Sequence, residues 1–120
     1  MGLYKTETDI GTAQGWMGFS GEDASTYINM QVFVAGYPSY TPLEMYTNTG
    51  TITGLYGDNR LKVSADTDNG MSGCPYFSSD HYVRAIHHGG LSDCNVGTFI
   101  TPELFYLLRQ AKQDGISRYS

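Results

Sequence analysis

Runs of β-branched and aromatic residues, each cut short by glycine, proline or asparagine, leave this chain little choice but sheet. In "MQVFVAGYP", Met30, Val32 and Val34 alternate with Gln31, Phe33 and Ala35 until a Gly-Tyr-Pro stop. "EMYTNTGTITGLY" is rich in strand formers, and Gly57-Asp58-Asn59 reads as a hairpin turn into "RLKVSAD". "YVRAIHHGG" places Val83, Ala85 and His87 on one face and Arg84, Ile86 and His88 on the other. A helix signal comes last. Thr101 suits the N-cap, Pro102 the first helical position and Glu103 the positive end of the dipole. Leu104, Leu107, Leu108 and Ala111 form an apolar face, and Gly115 reads as its end. Closely spaced strands before one terminal helix predict an all-β antiparallel barrel or sandwich with a C-terminal α-helix, not a βαβ fold. Within it, 1–15 read as a strand stub ("MGLYK") and a polar connector (Thr6 to Gly15), 16–114 as the barrel and its helix, and 115–120 as a tail.

At 120 residues there is room for one core. A net charge of −5 with only seven scattered basic residues argues against nucleic acid and against a membrane surface as partner. Nothing reads as a membrane span or a secretory leader. Cys74 and Cys94 are a candidate disulfide, which would close a loop of about 20 residues and contribute roughly 3 kcal/mol; sequence leaves that pairing open.

The chemistry gathers in "DTDNGMSGCPYF". Glycines on both sides of Ser72 can leave the N–H groups of Gly70 and Ser72 free to hold a tetrahedral oxyanion. It is not the G-x-S-x-G elbow, because Cys74 takes the last position. Alone, the motif is weak, since glycine-serine turns are common. Likewise His87, taken alone, reads as a packed strand histidine beside Val83 and Ala85. Two other chemistries are less well served. A Cys74 nucleophile is followed directly by Pro75, and no metal-ligand spacing links Cys74, Cys94, His81, His87 and His88. His81, in "SSDHY", reads as a solvated turn residue. No metal or organic cofactor is implied.

Taken with "AIHHGG", "VFVAGYP" and "ITPELF", the serine segment resembles the bacterial glutamyl endopeptidases, which are trypsin-like serine proteases with G-x-S-G-[small]-P-[apolar]-[aromatic] and a downstream I-H-x-G-G. The resemblance runs from about Met1 to Gln110. It implies the C-terminal barrel of the two-barrel trypsin-like fold, a peptide or protein substrate, and secretion. Carried across by position, Ser72 matches the nucleophile, Gly70 with Ser72 the oxyanion donors, and Thr67 with His87 the residues that read an acidic P1 side chain. Gly89 and Gly90 of the I-H-x-G-G match and Asp66 fall on the same substrate-binding side. A hydroxyl and an imidazole can both hydrogen-bond a carboxylate. Asp66, six residues before Ser72, is where trypsin carries the acid of its basic pocket, so Lys or Arg specificity is the competing reading. Met71 and Cys74 depart from the family, which favours asparagine or glutamine and a small residue there.

The same resemblance locates a gap. The family's catalytic histidine and aspartate lie upstream, on the first barrel, and "MGLYK" matches the strand just after that aspartate. All three histidines of this chain follow Ser72. The expectation is a chain inactive alone, needing an upstream barrel as partner, with an exposed apolar face that could also drive self-association. The rival from another class is a non-catalytic barrel that binds peptide or protein in the same cleft.

Overall fold

In a computed structural model, residues 6–40, 43–68 and 70–119 are described, the last five of these as backbone only. The expected strand at "MGLYK" lies outside the described residues. The alternation of Val32 and Val34 becomes β2 (Gln31–Gly36), whose buried positions are Val32, Val34 and Gly36. The β-rich run that follows becomes β3 (Tyr46–Leu55), and the Gly57 turn returns it into β4 (Arg60–Val63), with Tyr56 N–H donating to Arg60 C=O at 2.9 Å. Then come β5 (Pro75–Phe77), β6 (Tyr82–Gly90) and β7 (Asn95–Phe99). His81 sits in the β5–β6 turn with a φ of 66°, as expected of a solvated tip.

The pairing decides between sandwich and barrel. The order β6-β5-β2-β3-β4-β7 is antiparallel throughout, and β7 pairs back onto β6, so the six strands close into a ring. The outcome is therefore the closed barrel and not the sandwich. Alternate residues point inward, and Val32, Val34, Ile52, Leu61, Tyr76 and Ala85 fill the interior with no exposed surface. Ahead of the barrel stand a one-turn helix, α1 (Gly11–Gln14), inside what read as pure connector, and a short strand, β1 (Gly18–Phe19). β1 runs parallel to β6 at Tyr82 and Val83, the end of β6 that β7 does not reach.

A second single turn, α2 (Ala24–Tyr27), inserts Tyr27 into the core. Its hydroxyl lies 2.9 Å from both Ser20 C=O and Ile100 C=O and accepts from Glu22 N–H at 3.0 Å. One phenol therefore ties the entry to the barrel to the exit from β7. Tyr27→Phe keeps the ring but strands the Ile100 carbonyl, only 2% exposed, without its partner. The expected result is a loss of about 2 kcal/mol in urea unfolding with an unchanged m-value.

The terminal helix, α3 (Pro102–Tyr119), begins as read: Thr101 Oγ1 accepts from Leu104 N–H at 3.1 Å. Two details differ. Leu107 is 63% exposed, and the face toward the barrel is turned to Leu104, Phe105, Leu108 and Ala111, with Phe105 against the Phe19 ring at 5.5 Å. Gly115 does not end the helix, which runs on through "ISRY". A glycine inside a helix costs about 1 kcal/mol relative to alanine, too little to stop one without a proline or a capping turn behind it. No helix among the described residues is long and apolar enough to cross a membrane.

Candidate active site

The loop from β4 to β5 carries Asp66, Thr67, Gly70 and Ser72, and it is tied down at both ends. Asn95 Nδ2 donates to Ala65 C=O at 2.5 Å, and Asp66 N–H donates to Asn48 Oδ1 at 3.1 Å. Met71 is buried, 4% exposed, and reaches toward Gly36, so the residue just before the serine works as an anchor. Two backbone bonds then clamp the loop to β6: Gly73 N–H to His87 C=O at 2.9 Å and His87 N–H to Cys74 C=O at 2.8 Å.

This bonding leaves a specific pattern of donors. Met71 N–H is taken by Asp68 C=O, Gly73 N–H by His87 and Cys74 N–H by Met71 C=O. Gly70 and Ser72 N–H have no acceptor among the described residues, and both residues are exposed. Gly70 has a φ of 94° and Gly73 one of 88°, conformations that glycine adopts without strain. An exposed hydroxyl beside two unpaired N–H groups can hold a developing negative charge.

Behind the loop, inside the barrel, Thr67 and His87 meet: Oγ1 lies 3.3 Å from Nε2. On the other side of the ring, Nδ1 is 2.8 Å from the hydroxyl of Tyr76. His87 is 5% exposed, and burial, aided by the nearby His88, pushes its pKa below the usual imidazole value. Burial holds the Tyr76 phenol far above its ordinary range, so it stays protonated. Asp66, by contrast, is exposed on the loop, away from the buried contact between Thr67 and His87. Gly89 and Gly90 lie beyond a bulge in β6, paired with Val96 and Asn95. Tyr76, Asn48 and Asn95 were not singled out from sequence. Tyr76 could have been, because a strand through Pro75 and Phe77 turns it inward.

The candidate disulfide does not form: Cys74 and Cys94 are both free thiols. Cys74 lies opposite His87, whereas Cys94 lies opposite Leu91, four residues further on and just past the end of β6. That is about 13 Å, well beyond the roughly 7 Å that a disulfide spans. Burial also raises the Cys74 thiol, which disfavours the thiolate that a cysteine nucleophile requires. His81 and Cys94 flank opposite ends of β6, so the five Cys and His residues cannot converge on one metal. An open groove of 1080 Å³ lies between β1, the β5–β6 turn and α3, lined by Trp16, Met17, Tyr82 and Phe105 among others. Neither Ser72, Thr67 nor His87 borders it.

No protein-family profile matches the chain. Glutamyl endopeptidases of Staphylococcus epidermidis, including strains ATCC 12228 and RP62A, are 33% identical over 72 residues, which is 59% of this chain but 25% of theirs. In structure, a Glu endopeptidase in complex with MPD superposes with a TM-score of 0.79 at 21% identity, over 91% of this chain and 53% of that one. Rv3671c from M. tuberculosis H37Rv, as an inactive serine-to-alanine mutant, gives a TM-score of 0.56 at 21% identity over 87% of this chain and 55% of its own. The chain is thus similar in sequence to a stretch that makes up 25% of the length of these glutamyl endopeptidases, and its closed barrel has the fold seen in the solved Glu endopeptidase.

Proposed function

We propose that this chain is the nucleophile-bearing barrel of a serine endopeptidase that cleaves after acidic residues. One observation carries the reading: Ser72 is exposed on a clamped loop where the Gly70 and Ser72 N–H groups have no acceptor among the described residues, while those of Met71, Gly73 and Cys74 are used. In the reaction, Ser72 Oγ attacks the scissile carbonyl carbon as a histidine base takes its proton. The carbonyl oxygen becomes an oxyanion held by the Gly70 and Ser72 N–H groups. Collapse expels the amine, which leaves with the proton from the base, and water then hydrolyses the acyl-serine.

The base is not among the described residues. His87 has both ring nitrogens engaged, His81 sits in the β5–β6 turn, and His88 is on the opposite face of β6. A histidine and a carboxylate therefore come from another barrel, of the same polypeptide or a partner. The exposed Trp16, Tyr37, Tyr40, Leu43 and Met45 offer apolar surface for such docking. Acidic P1 preference rests on the Thr67–His87 pair, and Asp66, lying exposed, offers a Lys or Arg side chain no buried partner. The absent base also favours a second reading, a peptide-binding barrel without chemistry.

A fluorophosphonate probe separates the two. Labelling at Ser72 once the chain is joined to a histidine-bearing barrel supports the endopeptidase; no labelling in any such assembly supports the binding module. If the assembled enzyme cleaves after Lys or Arg instead of Glu or Asp, the roles given to Thr67 and His87 are wrong.

A further inference from the structure

The residue behind His87 is as informative as the one in front of it. Tyr76 is fully buried, and its ring lies against β7 at Gly97. A Cβ on Gly97 would stand 3.0 Å from Tyr76 Cε2 and 3.1 Å from Cδ2, so glycine at 97 opens the slot that the ring occupies. Gly97 is also the register partner of His87, and the Tyr76 ring meets the imidazole edge-on at 5.7 Å and 79°. Three strands thus fix one hydrogen bond, from β5 across β6 with β7 as the wall. The direction of that bond follows from counting protons. Among the described residues, the Tyr76 hydroxyl has no acceptor except His87 Nδ1. If Nδ1 carried the proton, the phenol hydrogen would be buried without a partner, a cost of about 1–3 kcal/mol. The phenol therefore donates, Nδ1 accepts, and the imidazole proton sits on Nε2, facing Thr67.

We propose that Tyr76 is a positioning residue that holds His87 as the neutral Nε2–H tautomer, so that the Thr67 side of the ring presents a hydrogen-bond donor without a charge. The consequence for substrate rests on the endopeptidase reading above; the tautomer does not. A P1 carboxylate would receive two neutral donors, Nε2–H and the Thr67 hydroxyl, in place of an ion pair. A carbonyl oxygen of P1 Gln can accept the same two bonds. Discrimination of Glu over Gln then comes only from the greater strength of bonds to a charged acceptor, about 10-fold per bond.

Ring-nitrogen NMR on the chain near neutral pH tests the tautomer with no need for activity. The expected result is an unprotonated Nδ1 and a protonated Nε2 for His87. A protonated Nδ1, or an imidazolium, overturns the proposal in the unmodified chain, whatever the variants do. In Tyr76→Phe the two tautomers should mix, because the donor that separated them is gone; an unchanged Nε2–H spectrum there would show that Tyr76 has no part in it. In the assembled protease, the same variant should lower kcat/KM for P1 Glu by ~2-fold more than for an apolar P1 residue, the loss expected when about half of His87 leaves the Nε2–H form. Equal losses on both substrates would reduce Tyr76 to a packing residue and sink the proposal. If the tautomer is as stated but no assembly cleaves after Glu, the endopeptidase reading fails and the tautomer assignment stands.

Discussion

Ser72→Ala should lower kcat on a Glu-containing peptide by about 10⁶ in the assembled protease, while the 120-residue chain by itself should show no turnover for the substitution to remove. Both halves of that expectation come from the same geometry. A serine hydroxyl is a poor nucleophile until a base accepts its proton as it attacks, and no described histidine is placed to do so. The unpaired Gly70 and Ser72 N–H groups survive the substitution, so a residual rate enhancement of 10³–10⁴ over water should remain in the assembled variant. Steady-state kinetics on the assembly, with the lone chain as control, checks both points. Turnover by the lone chain that Ser72→Ala abolishes would mean that a base has been overlooked within it. Turnover that survives Ser72→Ala undiminished would remove Ser72 from the mechanism.

Gly70→Ala carries the next largest effect, and it acts twice. At a φ of 94° an added Cβ is strained, and it would stand 3.0 Å from both Ser39 N and Tyr37 O. Those are backbone atoms, so the loop must move to relieve the contact. The variant should lose about 2 kcal/mol of stability. Its N–H should also shift from its place beside Ser72, with a fall in kcat of about 10²–10³ in the assembled enzyme. Gly73→Ala is the control. Its φ of 88° gives comparable strain, but nothing lies within 4 Å of its Cβ position, so only about 1 kcal/mol should be lost. Urea unfolding of both variants separates crowding from dihedral strain. Equal losses would mean that the close approach of Gly70 to the Tyr37–Ser39 backbone is unimportant.

Much of the fold was legible because period-two burial writes itself directly into sequence. Val32 and Val34, and later Ala85 and His87, show their inward face without any knowledge of partners. Thr101 announced its helix because an N-cap is a local interaction. Closure was not legible from the residues themselves. Whether β7 returns to β6 depends on pairings such as Lys62 with Val96, which no local pattern records, and only the resemblance chose the barrel over the sandwich. The cysteine pairing stayed open for the same reason: loop length says nothing of the three strand residues that separate their neighbours. Gly115 misled because a local breaker was given more weight than the helix-compatible residues after it. At the site, the glycines around Ser72 were visible as chemistry, and the meeting of Thr67 with His87 was expected from the resemblance. Tyr76 was hidden, since its contribution lies in where a phenol oxygen ends up after three strands have packed.

Closure has a bearing on how the molecule comes apart. In an open sheet the outermost strand can peel away by breaking a single ladder, and the next then becomes outermost. Here each of β2 to β7 has a neighbour on both sides, so none can leave without breaking two ladders at once. Among the described strands, only β1, held by Gly18 and Phe19 against the end of β6, can detach alone. Slow amide exchange in the ring should therefore report one shared opening, while the segment that leads into it exchanges on a separate and faster clock.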